Sequence, residues 1–381
     1  MTTALINARV LADDGWHDDL AVLLDGASIA ALLPLDDPRV RAAEQQDLAG
    51  ATLLPGFIDV QVNGGGGVLF NDAPSVDTLR QIGAAHRQFG TTGFLATLIS
   101  DDMAVMRAAL AAVEQGLAEE VPGLLGIHLE GPYLAAARKG VHDPDYFHAP
   151  SRDEVAMLCE PHRGVRLLTL APDRVPPATI RDLVAGGLIV CAGHTAADYA
   201  TTRAALDAGV RGFTHLFNAM TPLGSREPGV VGAALDDADS WCGLIVDGHH
   251  VHPASLRVAI AAKPRGKMLL VTDAMPPVGS DKPDYTLNGE TITMRDGVCR
   301  TAQGVLAGSA LDMASAVRNA VQLLGLPLEE AARMASTYPA HFLGLGASHG
   351  RIAPGCRADL LVLDQDCRVC RTWIGGVVGV E

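Results

Sequence analysis

"GLIVCAGHTAADYATTRAALDAGVRGFTHLF" (residues 187–217) decides how the chain is read. A near-continuous apolar run ends at His194. A segment with apolar residues at helical spacing follows, "ADYATTRAALDAG", closed by a glycine. A second apolar run then carries His215. Runs apolar on both faces predict strands buried on both sides, as in a parallel sheet covered by helices.

The same alternation extends outward in both directions. The runs "TLLPGFIDV", "TTGFLATL", "GLLGIHLE", "GVRLLTLAP", "WCGLIVDG" and "KMLLVTD" join the two already quoted. Eight β/α units predict a (β/α)8 TIM-like barrel over residues 53–348. A doubly wound open sheet is the competing fold, but no G-x-G-x-x-G follows an early strand. The two chain ends have another texture. "ALINARVL", "DDLAVLLDG" and "ASIAALLPL", and the closing "GRIAPGCRADLLVLDQDCRVCRTWIGGVVGV", read as short strands broken by Asp, Gly and Pro. Residues 1–52 plus 349–381 are expected to form a small β-sandwich built from both ends.

Composition narrows the function. Hydrophobic residues make up 48% of the 381 and charged residues 19%, enough for a large core. The net charge of −15 predicts no nucleic-acid and no membrane partner, because an acidic surface repels polyanions and anionic lipid. Seven cysteines, an odd number, do not suggest a disulfide framework. "CRVC" (367–370) lacks the second pair of a metal site. Residues 1–20 lack the pattern of a secretory signal, and no apolar run approaches the ~20 residues of a membrane span. A cytoplasmic protein is expected.

The runs end in chemically capable residues: Asp59 and Gln61, Glu130, His194, His215, Asp247 and Asp273. In a TIM barrel such ends converge on one site. Glu130, His194 and His215 make a carboxylate–imidazole set of the kind that holds a catalytic divalent metal with a position left open. His128 alternates with Glu130 and can face the same interior. Asp273, in "LLVTDAMPP", suits a general base beside activated water; the competing role, a helix N-cap, is disfavoured by the poor helix start "AMPP". Arg226 in "PLGSREPG" and His249 and His250 in "DGHHVHP" are candidates for an anionic substrate group. In "LAGSALDM", Gly308 and Ser309 precede a helical pattern and can offer backbone N–H groups. "GGGG" (64–67) lacks the Lys-Ser/Thr of a P-loop and reads as a place of close backbone approach. His142 lies in a loop suited to closing over substrate.

In combination, "HLEGPYLAAARKGVH", "GHTAADY", "THLFNAMTPLGSREPG", "DGHHVHP", "LVTDAMPP" and "LAGSALDM" resemble the N-acetylglucosamine-6-phosphate deacetylases of the amidohydrolase superfamily. "PGFIDVQVNG" and "GRIAPGCRADLLVLD" match that superfamily's frame. The resemblance runs from about residue 50 to 365. It implies hydrolysis of the acetamide of N-acetylglucosamine 6-phosphate to glucosamine 6-phosphate and acetate, on a homodimer. It implies one divalent metal per subunit on Glu130, His194 and His215, with Zn²⁺ the leading choice and Fe²⁺ or Co²⁺ suited to the same ligands. Asp273 would be base and then acid, and His142 would contact the acetamide oxygen or a sugar hydroxyl. Val141, Asn218, Ala219, Arg226 and His250 would bind substrate, with Leu306, Ala307 and Gly308 at its acetyl end. Gln61 and Asn63 stand where the superfamily often has His-x-His. They predict loss of a second metal position and a role in holding water or substrate. The alternatives are the galactosamine epimer as substrate, a cyclic amidase, and a non-catalytic sensor. A cyclic amidase usually needs a strand-four lysine, which "GVRLLTLAPD" lacks. A sensor would have lost a ligand or Asp273.

Overall fold

The computed structural model describes residues 2–379. Eight parallel strands form one sheet in sequence order: β1 (Phe57–Val62), β2 (Thr91–Ile99), β3 (Leu124–Glu130), β4 (Val165–Leu170), β5 (Ile189–Ala192), β6 (Gly212–Phe213), β7 (Trp241–Leu244) and β8 (Met268–Leu270). Each overlaps an apolar run read from the sequence; β1 and β2 extend two residues and one residue past theirs. Helices α1 (Val76–Arg87), α2 (Met103–Ala118), α3 (Arg152–Leu158), α4 (Pro177–Ala185), α5 (Tyr199–Asp207), α6 (Gly229–Asp236), α7 (Pro253–Ala262) and α8 (Met313–Leu324) follow the strands one for one. The protein is a TIM-like barrel.

Local chemistry sets these elements. In the 187–217 stretch the Asp198 side chain accepts from the Thr201 N–H and starts α5. Gly209, at φ 110°, lets the chain turn back toward β6. All nine residues of β2 are buried, as a strand between sheet neighbours and covering helices requires.

The barrel closes differently from the way it propagates. β8 and β1 share no ladder; a single parallel bridge links Val62 and Ala274. The Asp273 N–H donates to the Gln61 carbonyl at 3.0 Å. Asp59 completes the seam: its carboxylate accepts from the Thr272 hydroxyl and from the Gln61 and Thr272 N–H groups. Asp59 therefore ties the first strand to the last.

The chain ends form two further sheets. Leu360–Leu363 pairs antiparallel with Thr52–Pro55, which pairs with Arg9 and Val10, so one six-stranded sheet joins both ends. A four-stranded sheet of Thr2–Ile6, Leu20–Asp25, Ser28–Pro34 and Glu44–Asp47 faces it. Leu5, Val22 and Ile29 of the second pack with Val10, Leu53 and Trp373 of the first. Gly56 marks the passage into the barrel; a Cβ there would lie 2.0 Å from Thr92 Oγ1.

Among the elements not read from the sequence is a three-stranded segment over residues 284–300. After β8, Asp284–Leu287, Glu290–Arg295 and Val298–Arg300 form an antiparallel insertion. Its two turns are Asn288-Gly289 and Asp296-Gly297, all four at positive φ. These dipeptides are strong hairpin signals, because tight turns with φ > 0 at both positions favour them.

Candidate active site

A cavity of about 250 Å³ opens at the C-terminal mouth of the barrel. Glu130, His194, His215 and Asp273 line it, as do Asn63, His142, Val141, Asn218, Ala219, His250, Leu306 and Gly308 from the expected set. Three of these residues lie just past their strands at positive φ: His194 at 47°, His215 at 34° and Asp273 at 53°. Non-glycine residues there cost about 1–3 kcal/mol each, and such strain clusters at functional sites. Ala219 shares it at 51°.

The three expected ligands meet. Glu130 Oε1 lies 3.2 Å from His194 Nε2 and 3.0 Å from His215 Nε2, and the two imidazole nitrogens are 3.1 Å apart. Ligands at the ~2.0–2.1 Å bond lengths of Zn²⁺ in a tetrahedron lie roughly 3.3 Å from each other. His194 Nδ1 is 2.9 Å from the Arg138 carbonyl, so it carries the proton and leaves Nε2 as a lone pair. This set fits a divalent metal, and it is the one such cluster among the described residues.

Gln61 and Asn63 explain the missing His-x-His. Gln61 Nε2 lies 3.1 Å from Asp273 Oδ1 and 3.2 Å from Glu130 Oε2. Asn63 Nδ2 lies 2.7 Å from the same Asp273 oxygen. Carboxylates only accept, so both amides present N–H₂ groups and not lone pairs. They clamp Asp273 Oδ1, and Oδ2 is left for chemistry. Burial, and then the Glu130 charge, push the Asp273 carboxyl up to about 6.

His142 is buried and accepts the Ser100 N–H at Nδ1, 3.3 Å away, with the Ser100 hydroxyl at 2.9 Å. Burial, and then the neighbouring His194, push its pKa down to about 3. The ring is thus neutral and its proton sits on Nε2. Ser100 was missed in the sequence, although it too ends a strand. Asp247 does not line the cavity. Its Oδ2 holds His250 Nδ1 at 2.6 Å, and its Oδ1 caps the His249 and His250 N–H groups. Asp59 serves the barrel seam.

Three expected positions fall elsewhere. Arg226 is exposed in the loop before α6 and outside the cavity lining. Ala307 is buried behind the wall, its N–H donating to Cys299 and its carbonyl accepting from Tyr285. His249 is exposed. Gly308 has no room for a side chain: at φ 61°, a Cβ would lie 2.4 Å from Met275 Cγ. The glycine run packs tightly, with Gly64 and Gly66 donating to the Ala274 and Val278 carbonyls. It braces the Asp273 loop and holds no phosphate cradle.

A (β/α)8 barrel with a buried Glu/His/His cluster and a clamped carboxylate at its mouth defines a metal-dependent hydrolase type of site. The amidohydrolase family profile matches residues 52–379. An N-acetylgalactosamine-6-phosphate deacetylase of Shewanella sp. (strain ANA-3) is 46% identical over 97% of this chain and 94% of its own. An N-acetylglucosamine-6-phosphate deacetylase of Haemophilus influenzae is 36% identical over 99% of each. The crystal structure of N-acetylglucosamine-6-phosphate deacetylase from Pasteurella multocida superposes with TM-score 0.96 at 36% identity over the whole of both chains. The chain belongs to the amidohydrolase family.

Proposed function

We propose that the chain hydrolyses the acetamide of N-acetylglucosamine 6-phosphate to glucosamine 6-phosphate and acetate, in amino-sugar catabolism or recycling. The observation that carries this reading is the clamped Asp273 beside a three-ligand metal set in a cavity of sugar size. A divalent cation, Zn²⁺ first among the candidates, supplies when bound the Lewis acidity that activates water and polarises the carbonyl. Glu130, His194 and His215 hold it. Asp273 Oδ2 takes the proton of the attacking water and delivers it to the leaving nitrogen, which cannot depart as an anion. His142 donates Nε2–H to the oxygen on which charge develops. Val141, Leu306 and Gly308 enclose the acetyl end, with Ala307 supporting that wall from behind. Asn218, Ala219 and His250 bind the sugar phosphate.

Acetate release from the two epimeric sugar phosphates, with metal analysis, tests this reading. No release from either would sink it. A second substrate, N-acetylgalactosamine 6-phosphate, is favoured by one observation: the relative at 46% identity bears that name, and the relative at 36% bears the other. A higher kcat/KM on the galactosamine epimer would establish it.

Homodimer formation completes the reading. No lysine or arginine lines the cavity of the single chain. Arg226 stands exposed beside Leu223, itself 57% exposed. In a dimer this loop can bring its guanidinium to the partner's substrate phosphate. Arg226→Ala is expected to raise KM for the phosphorylated substrate about tenfold or more and to leave the unphosphorylated sugar unaffected. Equal effects on both would remove Arg226 from phosphate binding. A monomer in light scattering would remove the dimer. All seven cysteines are free, in keeping with a cytoplasmic location, and no helix among the described residues is long and apolar enough to cross a membrane.

A further inference from the structure

A second polar layer lies in the barrel interior, directly beneath the metal ligands. His128 Nε2 is 2.7 Å from Thr169 Oγ1, and Thr169 Oγ1 is 2.6 Å from Thr214 Oγ1. His128 Nδ1 reaches Thr97 Oγ1 at 3.4 Å, and that hydroxyl also accepts the Val62 N–H. All four side chains are buried. An apolar interior would be the default for a barrel core, and buried polar groups persist only when fully partnered.

The placement of these residues follows the ligands. His128 is two residues before Glu130 on β3. Thr169 on β4 is the register partner of Glu130. Thr214 immediately precedes His215. The Thr169–Thr214 contact crosses over β5, and it can do so because Gly193 has no side chain. A Cβ on Gly193 would lie 2.6 Å from Thr169 Cγ2 and 3.1 Å from Thr214 Cβ. Gly193 immediately precedes His194. The layer therefore touches each of the three ligand-bearing segments one or two residues below the ligand. A cavity of about 20 Å³ is lined by His128 and Thr214 and also by His215 and Gln61, so the two layers share a wall.

We propose that the His128–Thr169–Thr214 chain, with Gly193 as its gap, is a positioning floor that sets the spacing of Glu130, His194 and His215 and so tunes metal affinity. The backbone ladders set the register of these strands; the side-chain hydrogen bonds fix how the interior layer sits beneath the ligands, which apolar contacts alone would hold less sharply. The inference rests on reading the triad as the metal site. It assigns a structural role to groups that touch neither metal nor substrate.

The test is metal affinity of the full chain, read by competition with a chelator, and the visible spectrum of the Co²⁺-loaded protein. Thr169→Val keeps the shape and removes the hydroxyl that joins His128 to Thr214. It is expected to weaken metal binding about tenfold and to shift the Co²⁺ bands, whereas Thr169→Ser keeps both within twofold of the parent. Gly193→Ala, which wedges the two threonines apart, is expected to act like Thr169→Val. If Thr169→Val does not fold, Gly193→Ala and Thr214→Val decide in its place. Folded Thr169→Val and Gly193→Ala proteins with parental affinity and parental spectra would overturn the proposal. An unaltered chain that binds no divalent metal would instead overturn the ligand reading beneath it.

Discussion

Asp273 shows how one residue's chemistry is set by neighbours far away in sequence. Two amides, Gln61 on β1 and Asn63 just past it, occupy one of its oxygens, and burial keeps its proton affinity high. The proposed acid–base role falls to the other oxygen. Asp273→Asn keeps the shape and the amide contacts but cannot accept a proton. Turnover is expected to fall about 10²–10⁴-fold, with metal content unchanged. A variant with near-parental kcat would take the acid–base role away from Asp273. Much of this was legible: strand-end carboxylates and imidazoles point to a shared pocket. The tautomers of His142 and His194 were not, because Ser100 and the Arg138 carbonyl reach them only through folding.

At the scale of elements, β1 is the informative strand. "DVQVN" alternates, so Asp59, Gln61 and Asn63 share one face. The sequence reading had Gln61 and Asn63 removing a second metal and holding water or substrate. Their amide nitrogens face Asp273 and Glu130. A second cation beside Asp273 Oδ1 would meet the amide N–H groups of Gln61 and Asn63. Replacing both residues by histidine restores imidazole nitrogens at those positions. Gln61→His with Asn63→His is expected to raise bound metal from one to two per chain, measured after dialysis against excess Zn²⁺. Unchanged stoichiometry would mean that the amides are not what excludes the second ion. The insertion over residues 284–300 belongs to the same scale. Its Asn-Gly and Asp-Gly turns were visible, yet its short, half-exposed strands carry too little apolar pattern to stand out.

For the whole molecule, the seam between β8 and β1 is where the barrel is least repetitive. One backbone bridge and the Asp59 carboxylate hold it. Burial drives the Asp59 pKa up to about 7, against hydrogen bonds from Thr272 and Gln61. The folded state thus binds a proton that the unfolded chain releases near pH 4. Its stabilising effect is complete below that pH and fades as pH rises through about 7. Asp59→Asn removes this dependence. The difference in Tm between parent and variant is expected to shift against the parent from pH 5 to pH 8. Parallel profiles would show that Asp59 does not titrate in that window.

The sequence by itself determined the alternation of strands and helices, the polar ends of those strands, and the β-texture of both termini. These are local signals: period, runs of apolar residues, glycine stops and caps. Tertiary structure alone decided which of the strand-end residues meet. It turned Asp59 to the seam and Asp247 to His250, and left Arg226 outside the cavity of one chain. It also brought Gln61 to Asp273 across 212 residues. The reason is geometric. Barrel closure places the first strand beside the last, and no property of either segment read alone encodes the distance between them.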